Sequence, residues 1–115
     1  TRIDDEWAWR SEVLIGGFGD LRAWDVELEH RGGRVGVDAE TRLYDIQALQ
    51  RRCEAKLRDS IAQRLVLLVA ATSHNRAVLR QHRGALLSTF PLDTVQVMSA
   101  LEHGELPAAN GIVVL

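Results

Sequence analysis

Two runs in the first half of this 115-residue chain, residues 20–29 and 34–42, sort their side chains with a period of two, which a helix cannot do. In each run the apolar residues take one parity and the acids the other. A hairpin closed through Arg31, Gly32 and Gly33 therefore sets Asp25, Glu27, Asp38 and Glu40 along sheet faces opposite Trp24, Val26, Val35 and Val37. Several carboxylates gathered on a small sheet meet the requirement of a divalent-metal site. An ordinary solvated sheet face presents the same pattern.

The remaining elements follow from periodicity and punctuation. Residues 7–15 start charged and end in Glu12, Val13, Leu14 and Ile15, which reads as a short helix or lead-in followed by a strand stopping at Gly16 and Gly17. Leu43, Ile46, Gln50, Cys53 and Leu57 recur at steps of three and four, predicting an amphipathic helix over 43–59 with Thr41 as its cap. Residues 64–71 form a continuous apolar run typical of a central strand covered on both faces, and the helix before it favours parallel pairing with the preceding strand. A second helix opens at Ser73 and runs through His82, with Gly84 ending it. Phe90 and Pro91 break the chain, Asp93 caps a short helix through Glu102, and residues 111–115 supply a last buried strand. The expected fold is α/β, a mixed β-sheet flanked by helices.

With 46% apolar residues the chain can bury a core without staples, and residues 1–115 are expected to form one domain. The net charge of −2 hides a division: acids dominate the first forty residues, whereas arginines and a lysine crowd 51–83. A nucleic-acid surface would therefore be a local patch. The lone Cys53 has no partner for a disulfide, which points to the cytoplasm. No basic leader precedes an apolar stretch at the start, and no run approaches the roughly 20 apolar residues of a membrane span. A start at Thr1 is what a piece of a longer protein would show.

Asp38 and Glu40, two apart on one strand, point to the same face, and Asp25 on the partner strand can approach them, which suits Mg²⁺ or Mn²⁺. On a wheel of about 100° per residue, Asp45, Arg52, Lys56 and Asp59 gather away from the Leu43, Ile46, Cys53 and Leu57 stripe. That side either meets the carboxylates, with Arg52 or Lys56 holding a phosphate or neutralising charge, or is a solvated face. Thr72 to Arg76 follows the buried strand where open sheets place ligands, and it reads equally as a capped turn. The four histidines lack metal-ligand spacing. Nucleophile-elbow, P-loop, dinucleotide and helix-turn-helix patterns are absent from the sequence. Trp7, Trp9 and Trp24 are expected in the core.

In order, the chain offers an acid-bearing hairpin with Asp25 on its first strand and Asp38-Ala39-Glu40 on its second, an amphipathic helix, a buried strand and another helix. This resembles the core of the PD-(D/E)XK nuclease-like superfamily, and the resemblance implies a restriction-endonuclease-like core. More narrowly, the segments 19–25, 37–42, 45–52 with 56–59, and 72–76 resemble a C-terminal domain of actinobacterial proteins that carry an N-terminal helix-turn-helix of the Cro/C1 type.

That resemblance makes Asp25 and Asp38 the metal carboxylates for Mg²⁺ or Mn²⁺, with Asp20 and Glu12 as alternative acids. Glu40 stands where the family tripeptide carries lysine; Glu40 would then position water, and Lys56 or Arg52 would stabilise phosphate charge. The implied function is a nuclease-like domain of a bacterial DNA-associated protein, cleaving phosphodiesters with a metal or kept as a regulatory remnant. The alternative is a noncatalytic ligand-binding or dimerisation module of a transcriptional regulator. Implied partners are nucleic acid, through a helix-turn-helix segment beyond these residues, and a second copy in a homodimer; a membrane is not among them. The two readings differ in one observable: carboxylates paired with Arg42 or Arg52 favour the noncatalytic module, and open carboxylates converging on a cation oppose it.

Overall fold

The structure, a computed structural model, describes residues 4–115, so the first three positions of the expected 1–115 unit lie outside the described residues. Strands β1 (Ala8–Leu14), β2 (Ala23–His30), β3 (Gly33–Glu40), β4 (Arg64–Val69) and β5 (Gly111–Val114) line up in one sheet in chain order. The first three are antiparallel neighbours, and β4 and β5 join in parallel. Helices α1 (Ile46–Asp59), α2 (Ser73–Gln81) and α3 (Arg83–Thr89) cover one face, and α4 (Thr94–Glu102) covers the other. This is an α/β fold with a mixed sheet flanked by helices. No helix among the described residues is long and apolar enough to cross a membrane.

Alternation explains how one sheet serves two cores. In β4, Leu65, Leu67 and Val69 point into the core beneath α1 to α3, while Val66 points into the core beneath α4, so an unbroken apolar run is needed. In β3 only Val35 and Val37 take part in such packing, on the α4 side. Gly36, Asp38 and Glu40 have the opposite parity and face α1. The β2–β3 hairpin turns through Arg31 and Gly32, with φ of 52° and 83°, the left-handed pair that matches strand twist.

Several expected boundaries move for identifiable reasons. The chain from Ala8 is already a strand rather than a helix or lead-in. As an edge strand with nearly every residue exposed, β1 carries no apolar alternation to announce it. Helix α1 starts at Ile46 instead of Leu43, because Asp45 and not Thr41 is its cap, accepting a bond from Ala48 N at 3.0 Å. Leu43 is buried outside the helix, its N–H held by Asn75. Gly84 ends no helix: α2 stops at Gln81, His82 departs from helical geometry, and Gly84 lies in the first turn of α3. Asp93 caps α4 as expected, with Gln96 completing a reciprocal capping box. Trp7 and Trp24 are core residues, but Trp9 is 67% exposed.

Trp24 and Val26 share a parity and yet pack into opposite cores, so the two-residue period fails at Asp25 between them. Trp24 instead lies over the α1 face of β3, where a Cβ on Gly36 would come within 2.3 Å of the indole. Replacing Gly36 by alanine should therefore cost about 1–3 kcal/mol through overpacking, read as a lower urea midpoint with an unchanged slope. Wild-type stability in Gly36→Ala would show that the indole does not need the bare backbone.

Candidate functional site

Strands β2 and β3 pair regularly up to Val26 and Val37 and then part. One step beyond that pair, Asp25 and Asp38 replace the ladder with side-chain bonds. Asp38 Oδ1 accepts from Asp25 N at 3.1 Å, and Asp25 Oδ2 accepts from Ala39 N at 2.8 Å. The carboxylates thus satisfy backbone donors that the splayed strands would leave orphaned.

Helix α1 packs behind this point and delivers two cations. Lys56 Nζ donates to Asp38 Oδ2 at 2.5 Å and to Ala23 O at 2.6 Å, and it stands 4.8 Å from the centre of the Trp24 ring. Its side chain is 11% exposed and that of Asp38 13%, so the pair is largely withdrawn from water. One turn earlier, Arg52 Nη2 donates to Glu40 Oε1 at 3.0 Å on a more exposed rim. A small cavity of about 160 Å³ lies beside that second pair, between Glu40, Arg42, Tyr44 and Arg52.

All five candidate residues therefore gather at one end of the β2–β3 hairpin, but they are bonded to one another. Asp38 has both oxygens engaged, Asp25 has one, and Glu40 is turned towards Arg52. Arg42 stacks on Tyr44, 5.7 Å from its ring centre, and pairs with none of these acids. Among the described residues no three histidine, cysteine, aspartate or glutamate side chains form a group able to hold a metal. As arranged, the Asp38 oxygen that faces α1 is taken by Lys56.

The alternative acids serve elsewhere. Asp20 accepts three bonds from Arg22, whose guanidinium also reaches Asp59 Oδ2 at 2.9 Å, tying the β1–β2 loop to the end of α1. Glu12 is an exposed residue at a φ of 56°. Glu27 is 3% exposed and matched by Arg34 at 2.8 Å and Arg10 at 3.4 Å. The segment after β4 is a latch: Asn75, fully buried, accepts from Leu43 N and donates to Thr41 O and Ala70 O, while His74 Nε2 contacts Leu43 O at 2.9 Å. Burial pushes the Cys53 thiol up to about 11, with Asp38 reinforcing the shift, so it is no nucleophile at neutral pH.

Sequence reasoning missed two members of the cluster, the Trp24 ring and the Ala23 carbonyl. The signal for the first was local, an aromatic residue immediately before Asp25 with a glycine on the facing strand. Searches of protein-family models, of curated proteins and of solved structures return no match for this chain.

Truncating Lys56 to methionine leaves Asp38 with no buried cation and should cost about 3–5 kcal/mol. The double variant Lys56→Met with Asp38→Asn should recover much of that loss in urea unfolding. Additive effects would show that the two groups do not interact. Hydrogen bonds from Arg58 and then Arg22 pull Asp59 down to about 2 from its usual 3.8, and Arg22 lowers Asp20. A depressed carboxylate stabilises above its unfolded pKa and loses that contribution as pH falls through the folded value. The melting difference between wild type and Asp59→Asn should hold from neutral pH to about pH 4 and vanish by about pH 2, shrinking with salt.

Proposed function

We propose that the domain is a nuclease-like module of a DNA-associated protein that no longer cleaves, in which Lys56 stands as an internal cation where an active relative would hold a metal. The observation that carries this reading is the bonding of Asp38: one oxygen serves the backbone of β2, the other serves Lys56. The antiparallel β1–β2–β3 meander, the crossing α1 and the parallel β4 support the PD-(D/E)XK-like resemblance, as does the placement of Asp25 and Asp38 where β2 and β3 part. The pairing of Glu40 with Arg52 supports the noncatalytic branch. Freed of cleavage, such a module serves a regulator through ligand binding or association, since a fold can outlive its chemistry.

A hydrolytic reading has one specific observation in its favour. Lys56 beside Asp38 is also where a cation would stabilise charge on a phosphoryl transition state, provided that Mg²⁺ or Mn²⁺ displaced it from the carboxylate.

Calorimetric titration of Mn²⁺ into wild type and Asp38→Ala at neutral pH, with a plasmid-nicking assay beside it, separates the two. No saturable event and no nicking are expected. A single saturable event in wild type that disappears in Asp38→Ala would overturn the noncatalytic reading and restore the metal nuclease.

A further inference from the structure

A groove that shares no residue with the carboxylate cluster lies at the sheet edge made by β5. It has a volume of about 520 Å³ and lies between α2, α3 and the start of α4. Leu79, Leu87 and Phe90 form its walls and Ile112 its floor. Leu87 is 46% exposed, a large apolar side chain left in water at the mouth. The volume falls in the range of small-molecule sites, about 300–1,000 Å³.

The polar groups of the groove are unevenly distributed. Arg80, in the last turn of α2, and Arg83, the first residue of α3, line one side; both are exposed, and no hydrogen bond, ion pair or ring contact joins either side chain to another described residue. Asp93 also lines the groove, its carboxylate accepting from Gln96 N at 2.9 Å to cap α4. The groove thus sets two unpaired positive charges, Arg80 and Arg83, against the single negative charge of Asp93 in an otherwise largely apolar lining.

We propose that this groove binds a small amphipathic anion, an apolar chain or ring system carrying one carboxylate or phosphate, with the head on Arg80 and Arg83 and the body along Leu79, Leu87, Phe90 and Ile112. Charge complementarity selects an anion, and desolvation of the trough supplies the apolar contribution. A compact ligand fits better than an acidic helix. The two arginines lie three residues apart across the break at His82, a spacing that suits one shared head group, whereas a bound helix would present its acids at intervals along the groove.

The domain's outer β5 edge reinforces the site. Ile112 N donates to Leu92 O at 3.1 Å and Val114 N to Thr94 Oγ1 at 2.9 Å, so these strand donors are already satisfied and do not invite an added strand. What this edge leaves open to a partner is side-chain surface.

Decanoate is the probe, with decyltrimethylammonium as its cationic counterpart, each titrated into the full chain and followed by amide chemical shifts. Saturable binding of decanoate is expected, with shifts confined to α2, α3 and β5 and at least a tenfold loss of affinity in the double variant Arg80→Glu with Arg83→Glu. Both arginines are exposed and make no internal contacts, so that variant should keep the wild-type spectrum elsewhere. Equal binding of the cationic probe, affinity unmoved by charge reversal, or no saturable binding of decanoate would overturn the proposal. Capture of an acidic helical peptide without decanoate binding would also overturn it and assign the groove to a protein partner. The Mn²⁺ titration does not touch this surface, so the two readings stand or fall separately.

Discussion

An ammonium group withdrawn from water must be surrounded by acceptors, and Lys56 sets that condition for everything near it. Desolvating such an ion costs several kcal/mol even after relaxation. The compensation comes from three elements at once: the carboxylate of Asp38 in β3, the carbonyl of Ala23 at the start of β2, and the face of Trp24. Meeting all three fixes the depth at which α1 lies on the sheet. It also explains why Trp24 leaves the face its parity assigns it: the ring must cross to the α1 side to shield the cation, and Gly36 supplies the flat backbone that lets it.

Polar anchors hold α1 at its other levels too. Before the first turn, buried Asn75 grips the backbone of Thr41 and Leu43, so the approach to the helix is fixed from α2. At the last turn, Asp59 is bonded to Arg22 and Arg58. Between these ends Ile46, Leu49 and Cys53 supply the apolar contact, which is non-directional and leaves α1 free to slide. Directional bonds at three heights remove that freedom. Within the Thr72 to Arg76 segment, attractive as an anion site, His74 and Asn75 are spent on this task and Thr72 caps α2, while Ser73 and Arg76 stay exposed.

Much of this was legible in the residues, and the failures share a cause. The hairpin, the two-faced β4, the parallel crossover and the Asp93 cap rest on local patterns that tertiary contacts do not oppose. So does one of the two readings the helical wheel left open, in which Arg52 or Lys56 meets the acids instead of lying on a solvated face. The start of α1 was misjudged because Leu43 is apolar and in phase, and nothing local says that its N–H is claimed by a side chain 32 residues later. The face of Trp24 was misjudged because alternation carries no record of a buried cation on another element. The start of β1 was misplaced because an exposed edge has no face to encode.

The carboxylates at the end of the hairpin pose a problem that any such sheet must solve. Asp25 and Asp38 are brought together by their bonds to the splayed backbone, and their charges repel at that distance unless a cation stands near. A metal enzyme solves this with an ion taken from solution, and folding and activity then share one site. Here the chain supplies a cation of its own on α1, so the repulsion is relieved when the helix packs against the sheet end. A divalent ion would have to displace an ammonium held by a carboxylate, a carbonyl and an aromatic face, then leave that ammonium a new partner. The contacts that anchor α1 through Lys56 are therefore the ones a divalent ion at Asp38 would have to replace, which is the physical argument behind the proposed noncatalytic reading.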